Sequence, residues 1–400
     1  MPPVTIQHRV SSALREWSEV KRFTSLEPGE RSIVFYAEDA ESWCHFEPII
    51  SHLTNELDRQ VCYLTSSHSD STVEHLLPTT RLFRIGDGAA RTWLFLRLRA
   101  DVLVMTMPDL ESFHIKRSRV HPVHYVYVFH SMVSTHMAYR RGAFNHFDSL
   151  LCAGPHHVQE MRETFTKDRL KPKSLVECGH GRLDTIRDRR PSRERICLHN
   201  RNRKPCVLVA PSWGDECLLE SCGEDLCRIL LGAGYRVVVR PHPMTRRRTP
   251  EIIRTLGEKF RANSDLIIEH DIRSLDSYDK ADVMVSDWSG AALEYAFGLE
   301  RPVLFVDVPR KVNNPGYANV STEPLEVTIR REVGDVISPR HLVELPGRIE
   351  MLRVEADRLR MQIQRVRSRA VYNLGYSGKV GAEWIGRIAD EAAANTSDHP

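Results

Sequence analysis

Short apolar runs alternate with amphipathic stretches along most of the chain. The first example is the run Ser32 to Tyr36, followed by the helix-like stretch Asp39 to Leu57 and by a second run, Val61 to Thr65. This order is typical of βαβ units. Four later runs are apolar or β-branched throughout, as strands buried on both faces of a parallel sheet are. These are Ala100 to Met107, Val123 to His130, Ser149 to Ala153 and Leu175 to Cys178. Together they predict one domain over residues 1–190.

A second series of the same kind occupies residues 205–345. Its predicted strands are Cys206 to Ala210, Tyr235 to Val239, Leu266 to Glu269, Ala281 to Ser286 and Val303 to Val306. Its predicted helices are Leu218 to Leu231, Pro250 to Phe260 and Ala291 to Phe297. The strand and helix alternation again indicates a parallel sheet with helices on its faces.

The remaining segments connect or cover these domains. Asp188 to Lys204 is dense in Arg and bracketed by proline, which favours an interdomain connection. Pro346 to Ala394 has the pattern of long charged helices, so residues 346–400 are expected to pack back across both domains. The predicted fold is α/β, with two Rossmann-like doubly wound domains facing a cleft, the GT-B type of architecture, and C-terminal helices.

Composition narrows the class of protein. The 41% hydrophobic and 27% charged residues are those of an ordinary globular chain, and the net charge is only +3. The stretch Met1 to Val10 lacks an apolar signal core, and no run approaches the ~20 apolar residues of a membrane span. Nine cysteines are scattered, and Cys217, Cys222 and Cys227 lack the close pairing of a zinc site. We therefore expect reduced thiols, no metal site and a cytoplasmic protein.

Basic residues are clustered although the net charge is small. The clusters are Arg187 to Arg195, Arg201 to Lys204 and Arg246 to Arg248. Such clusters suit an anionic ligand or an anionic membrane surface, and they equally suit solvated loops.

Polar residues gather directly after several predicted strands. Ligands of open parallel sheets bind at the carboxyl ends of the strands, where helix N-termini offer free N–H groups. The residues in question are His130 and Ser131, Ser212 and Trp213, Arg240 and His242, and Ser286, Asp287, Ser289 and Gly290. Two of these groups have both a functional and a structural interpretation. Arg240 to Pro243 holds a cation and an imidazole between prolines, which suits phosphate recognition or a structural salt bridge. Ser289 precedes a predicted helix, where it either helps to bind phosphate or only caps the helix.

Further histidines lie near the same sheet edge. The stretch His130 to His136 offers two imidazoles and three hydroxyls, and one imidazole is a candidate general base unless both are structural. His180, Arg182 and Asp184 follow a later strand and either serve the cleft or form a solvated turn. The chain has no GxGxxG or GxxxxGKS loop after an early strand and no Asp-x-Asp at a strand end. This favours a metal-independent transferase acting on nucleotide diphosphates.

Five motifs, in order, resemble those of the CDP-glycerol:poly(glycerophosphate) glycerophosphotransferase family, which includes wall teichoic acid primases and polymerases and capsule polymerases. The resemblance runs from about His130 to Tyr317. The motifs are His130-Ser131 for His-Gly-Thr, Gly179 to Asp184 for Gly-Tyr-Pro-Arg-Asn-Asp, Ala210 to Trp213 for Ala-Pro-Thr-Trp, Arg240 to Pro243 for Arg-Pro-His-Pro, and Ser286 to Gly290 for Thr-Asp-Tyr-Ser-Ser. Ser131 and Met132 replace Gly and Thr of the first motif, and Gly290 replaces the second Ser of the last.

The resemblance implies that an acceptor hydroxyl attacks the β-phosphate of a CDP-alcohol such as CDP-glycerol and releases CMP, without a cofactor. It implies His130 as general base in a first, acceptor domain. His242 and Arg240 would counter charge on the pyrophosphate in a second, donor domain, where Ser286 and Ser289 would bind phosphate. Ser212, Trp213, Asp287 and Gly290 would complete the donor site, and Asp287 would orient His242 or a nucleotide hydroxyl.

The implied acceptor is membrane-linked or polymeric, in the synthesis of a cell-surface polymer or glycolipid. A peripheral position at the inner face of the plasma membrane is therefore open, whereas no nucleic-acid partner is expected. Two other functions share this fold: a GT-B glycosyltransferase using a CMP- or UDP-sugar, and a nucleotide-binding protein without catalysis. The sequence does not indicate the oligomeric state.

Overall fold

The computed structural model describes residues 6–67, 79–190, 203–271 and 273–397. A parallel sheet of seven strands forms the first domain, in the order β3-β2-β1-β4-β5-β6-β7. Its strands are β1 (Ile33–Ala37), β2 (Val61–Thr65), β3 (Thr80–Arg84), β4 (Val102–Met105), β5 (His124–Val128), β6 (Ser149–Cys152) and β7 (Ser174–Glu177). The order reverses beside β1, which is the doubly wound arrangement.

A second parallel sheet, of six strands, follows in the order β10-β9-β8-β11-β12-β13. Its strands are β8 (Cys206–Val209), β9 (Arg236–Val239), β10 (Leu266–Ile268), β11 (Val283–Ser286), β12 (Val303–Val306) and β13 (Gly334–Ile337). The predicted fold class, two doubly wound α/β domains, is confirmed.

Helices cover both sheets. In the first domain they are α1 (Ile6–Thr24), α2 (Trp43–Asn55), α3 (Ala89–Leu96), α4 (Thr135–Ala138), α5 (Pro155–Lys167) and α6 (Gly181–Asp188). In the second domain they are α7 (Leu218–Gly232), α8 (Pro243–Arg248), α9 (Pro250–Lys259), α10 (Asp276–Lys280), α11 (Gly290–Leu299), α12 (Leu325–Thr328) and α13 (Arg330–Val333). The tail forms α14 (Leu345–Val354), α15 (Ala356–Ala370) and α16 (Ser377–Ser397), and 3₁₀ turns lie at Pro28–Arg31, Ala40–Ser42, Tyr317–Asn319 and Pro339–Glu344.

Two strands and several helices, among them α1, α3 and α5, were not anticipated from the pattern. β3 and β13 are edge strands in which only Thr80, Phe83 and Ile337 are buried. Their sequences, TRLFR and GDVI, therefore lack a continuous apolar run. Helix α1 lies ahead of the first βα unit. The predicted connection, Asp188 to Lys204, lies largely outside the described residues.

The tail contacts both domains. Helices α14 and α15 pack on the second domain, α15 also contacts α5 of the first, and α16 packs on α2 of the first. Asp184 anchors this return, because its carboxylate accepts hydrogen bonds from the N–H groups of Gly375 (2.6 Å) and Ser377 (3.0 Å). In the described part of the chain, no helix is long and apolar enough to cross a bilayer.

The interface between the domains is apolar at its centre. Met132, Val133, Leu183 and Ile186 of the first domain belong to the same buried cluster as the core of the second sheet. Burial of such side chains contributes about 1.5–3 kcal/mol each relative to exposure. The two sheets therefore hold a defined relative position, and the cleft between them has a fixed floor.

Candidate active site

A cleft of about 810 Å³ lies between the carboxyl ends of the two sheets. Both domains line it, which brings together residues far apart in the sequence. Nine residues singled out from the sequence are in its lining, namely His130, Ser131, Arg182, Ser212, Trp213, Arg240, His242, Ser289 and Gly290. A cleft of this size accommodates a small organic ligand.

His130 follows β5 and presents one nitrogen to the cleft. Its Nδ1 lies 3.1 Å from the carbonyl oxygen of Thr106 and 3.2 Å from the hydroxyl of Tyr127. Because a carbonyl only accepts, Nδ1 carries the proton of the neutral ring and Nε2 keeps its lone pair. Burial, the largest effect, lowers the pKa of His130 below the ordinary 6.5. The ring is therefore neutral near pH 7, with Nε2 as a proton acceptor.

His242 follows β9 and has the opposite arrangement. Its Nδ1 accepts a hydrogen bond from the N–H of Met244 at 3.0 Å, as the N-cap of α8. The neutral ring then carries its proton on Nε2. Burial, followed by the charge of Lys311, lowers the pKa of His242 to about 3. His242 is thus a fixed neutral donor, and its proline-flanked backbone leaves it little freedom.

Lys311 brings a cation into the cleft beside His242. Its Nζ lies 3.1 Å from Ser212 Oγ and 3.8 Å from the ring centroid of Trp213. Among the described residues it has no carboxylate in an ion pair. Burial lowers its pKa to about 8, since a desolvated ammonium without a counterion is unfavourable. Such a cation provides a site for an anionic ligand.

The N-terminus of α11 opens on the same cleft. Ser289 is its N-cap, and the Oγ atom accepts from the N–H of Ala291 at 3.3 Å. Gly290 is the first helical residue, and a Cβ there would collide with Ser131 Oγ of the first domain. Ser131 and Gly290, two positions at which the motifs depart from the family pattern, therefore face each other across the cleft.

Arg240 forms several hydrogen bonds within the second domain. Its Nη1 donates to Glu269 Oε2 at 2.7 Å, to the carbonyl of Ser274 at 2.9 Å and to Ser277 Oγ at 3.1 Å. The salt bridge joins β9 to the segment after β10. Of the two interpretations of this arginine, the structural salt bridge is present, although the side chain still borders the cleft.

A buried polar cluster connects the domains at the floor of the cleft. Glu294 of α11 accepts from Arg182 Nε at 3.1 Å and lies 3.4 Å from His180 Nε2, both in the first domain. Burial alone would raise the pKa of Glu294, but Arg182 and His180 lower it below its ordinary value. The His45 ring centroid lies 5.7 Å from His180 and 6.2 Å from His130. Arg182 and His180 thus hold the interface beside the general-base candidate.

Four predicted site residues lie outside the cleft lining: His180, which contacts Glu294 as described above, Ser286, Asp287 and Asp184. Ser286 Oγ donates to the carbonyl of Ala210 at 2.7 Å. Asp287 accepts from the N–H groups of Ser212 (2.7 Å) and Leu218 (2.9 Å), so it shapes the loop after β8 and leaves His242 untouched. Asp184 anchors the return of the tail to the first domain. All of these side chains are buried. Ser286 and Asp287 lie at the carboxyl edge of the second sheet, where they hold the loop that carries Ser212 and Trp213.

The basic clusters are largely paired within the protein. Arg246 Nη2 lies 3.1 Å from Glu41, and Arg247 Nη2 lies 2.9 Å from Asp39, both across the cleft mouth. Arg248 stacks on Trp213. In the other clusters, Arg187, Arg189, Arg190, Arg203 and Lys204 each pair with a carboxylate, and residues 191–202 lie outside the described part. The Arg246–Arg248 cluster is therefore a bridge between domains, not an open basic patch.

Sequence reasoning missed several lining residues. Lys311 lies five residues beyond β12, outside the positions directly after a strand, and His45 lies within α2. Asp39 and Glu41 are in the turn after β1, where the strand-end rule could have found them. Glu294 is inside a helix of otherwise apolar sequence, and a lone carboxylate there is a signal for a buried partner.

Comparison with known proteins gives one family match and several solved structures of similar fold. A family model described as CDP-Glycerol:Poly(glycerophosphate) glycerophosphotransferase matches residues 20–310. No curated protein matches the sequence. A solved structure of the wall teichoic acid polymerase TagF, soaked with CDPG, is 13% identical over 96% of both chains, with a TM-score of 0.62. The UDP-GlcNAc 2-epimerase of Methanocaldococcus jannaschii, in complex with UDP-GlcNAc and UDP, is 12% identical over 89% of this chain and 99% of that chain, with a TM-score of 0.53. At such identities these two likenesses show the fold.

Proposed function

This chain belongs to the CDP-glycerol:poly(glycerophosphate) glycerophosphotransferase family, and we propose that it transfers a polyol phosphate from a CDP-alcohol to an acceptor hydroxyl. CDP-glycerol is the proposed donor and CMP the released product. The proposal includes no metal and no resident cofactor. Teichoic acid or capsule synthesis at the inner face of the plasma membrane is the proposed setting, with a membrane-linked or polymeric acceptor.

One observation carries the proposal: two neutral histidines face the cleft from opposite domains in opposite tautomers. His130 offers a lone pair on Nε2, because the carbonyl of Thr106 fixes the proton on Nδ1. His242 offers an N–H on Nε2, because the N–H of Met244 occupies the lone pair of Nδ1. A hydroxyl that must lose a proton suits the first, and a phosphate that gains negative charge suits the second.

The proposed reaction begins with the acceptor hydroxyl beside His130. Its proton moves to Nε2 of His130 while its oxygen forms a bond to the β-phosphorus of the donor. The bond between that phosphorus and the bridging oxygen breaks, and CMP leaves with the electron pair. Phosphoryl transfer depends chiefly on positioning and on stabilisation of charge. The Nε2–H of His242 and the ammonium of Lys311 supply that stabilisation, and the N-terminus of α11 adds the helix dipole.

The test is incubation of the full chain with CDP-glycerol, other CDP-alcohols, and CMP- and UDP-sugars, each with a polyol-phosphate acceptor. Release of CMP together with a new phosphodiester, seen by ³¹P NMR, is the expected result. A glycosidic product from a sugar nucleotide would replace the proposal by a glycosyltransferase. Donor binding without any product, unchanged in His130→Ala, would indicate a nucleotide-binding protein without catalysis.

A further inference from the structure

A second cavity, of about 310 Å³, lies between the two domains beside the cleft. Residues of α4, α5 and the segment between them line it, together with Asn314, Gly316 and Asn319 of the second domain. A wall separates the two spaces. In it, Asn313 Nδ2 donates to the carbonyl of Ala138 at 2.7 Å, and Asn314 Nδ2 donates to the carbonyl of His136 at 2.9 Å. The second cavity is therefore a space of its own, separate from the cleft.

Two polar groups at this cavity have no hydrogen-bond partner among the described residues. Thr164 Oγ1 is one, and both ring nitrogens of His136 are without such a partner. Glu160 Oε2 lies 3.4 Å from His136 Nδ1 but accepts its hydrogen bonds from Thr135. The His136 side chain is only 2% exposed. Buried polar groups are nearly always satisfied in folded proteins, so orphans beside a cavity indicate a polar occupant.

The charge of the lining indicates the class of that occupant. Arg140, Arg141 and Lys167 contribute three cations, against the single carboxylate of Asp168. Arg141 pairs with Asp168 at 2.6 Å, while Arg140 and Lys167 pair with Asp109 and Glu163, which do not line the cavity. Both arginine side chains are more than half exposed, so they can turn toward a ligand at the mouth. Guanidinium groups bind phosphate in bidentate fashion.

The remaining polar groups suit hydroxyls. Asn145, Asn314 and Asn319 bring amides to the same cavity, and amides both donate to and accept from alcohols. We propose that this cavity binds a polyol phosphate, with its phosphate at the arginines and its hydroxyls at the amides, Thr164 and His136. Together with the proposed function, on which this step rests, the ligand is a unit of the acceptor chain that is held outside the cleft.

Calorimetric titration of the full chain tests the site with three probes: inorganic phosphate, glycerol 3-phosphate and a short glycerol phosphate oligomer. Thr164→Val removes a hydroxyl that has no hydrogen-bond partner among the described residues, so the melting temperature should not fall while affinity for glycerol 3-phosphate falls about five- to tenfold. Arg141→Gln should weaken all three probes about tenfold or more, since it removes a charged donor. Arg162→Gln, an exposed position of α5 outside the cavity lining, is the matched control.

Tighter binding of the oligomer than of the monomer supports an acceptor-chain subsite, and equal binding supports a site for the free polyol phosphate. Absence of binding by the wild-type chain, or binding that Thr164→Val and Arg141→Gln leave unchanged while Lys311→Met abolishes it, overturns the proposal, because the probe is then in the cleft. Failure of the proposed transfer is read separately, from CMP release with a CDP-alcohol.

Discussion

The two walls of the cleft, one formed by each sheet, present different hydrogen-bonding groups to a ligand. On the first wall, His130 presents a lone pair, and the carboxylates of Asp39 and Glu41 lie near the mouth. On the second wall, His242 presents an N–H, Lys311 an ammonium, and α11 its N-terminus. The first wall is therefore suited to accept a proton, and the second wall is suited to bind an anion.

The largest effect should come from His130→Ala, which removes the acceptor from the first wall. Loss of a general base lowers the rate about 10²–10⁴-fold, and we expect donor affinity to be nearly unchanged. Because burial lowers the pKa of His130 below 6.5, the acid limb of the wild-type profile of kcat/KM against pH should lie below pH 6.5. The measurements are CMP release over pH 4.5–8 and donor titration by calorimetry. Donor affinity lost as severely as in His242→Ala would place both histidines on the anion side.

His242→Ala should have the next largest effect, because it removes the Nε2–H donor from the second wall. Removing one preorganised donor costs about 10²–10³ in rate, and here donor affinity should fall together with turnover. His242→Gln, whose amide can still donate, serves as the matched variant and should recover part of both. Equal loss in the Gln and Ala variants would argue against a donor role for Nε2.

Lys311→Met should weaken donor binding about 10–100-fold, the range for a charged hydrogen bond. Calorimetric titration with the donor measures this change.

The Lys311→Met variant should also be more stable than the wild type at pH 7. The pKa of Lys311 is lowered from 10.5 to about 8 in the folded protein, so folding disfavours the protonated side chain. This lowers the free energy of unfolding of the wild type, and the loss is fully present below pH 8. It disappears as the pH rises toward 10.5. Chemical denaturation at pH 7 and pH 10 measures the difference, which should shrink at pH 10. A variant less stable than the wild type at pH 7 contradicts the description of Lys311 as a half-buried cation without an ion pair among the described residues.

Gly290→Ser should have the smallest effect, because it alters only the contact between the walls. The added side chain collides with Ser131, and overpacking of this kind typically costs about 1–3 kcal/mol. The double variant Ser131→Gly/Gly290→Ser relieves the collision and returns a hydroxyl from the opposite wall, so stability and turnover should recover. Thermal unfolding and CMP release of both single variants and the double variant give the coupling. Additive losses in the double variant would show that the two positions do not interact.

The interior strands were predictable because burial on both faces leaves continuous apolar runs, as in YVYVF and ADVMV. The edge strands β3 and β13 were not, since half-exposed edges carry Arg, Thr and Asp. At the site, the rule that ligands bind after strands located His130 and His242. It could not separate side chains that enter the cleft from Ser286 and Asp287, which turn into the sheet edge.

The rest of the site depends on long-range packing. Lys311 reaches Trp213 from a loop with no periodic pattern, and the tautomers of the two histidines depend on backbone groups of Thr106 and Met244. The pairing of Ser131 with Gly290 joins two motifs about 160 residues apart, at positions where the sequence alone showed two separate departures from the family pattern. Ser131 and Gly290 come into contact only because the first domain docks on the second.

The tail that returns to the first domain makes the chain cross between the two sheets twice, once before β8 and once between α15 and α16. Two separated connections, together with the apolar interface, resist twisting and sliding of one domain against the other. The wall of His242 and Lys311 is therefore held in one alignment with the wall of His130, so the proton acceptor and the anion site keep a constant separation.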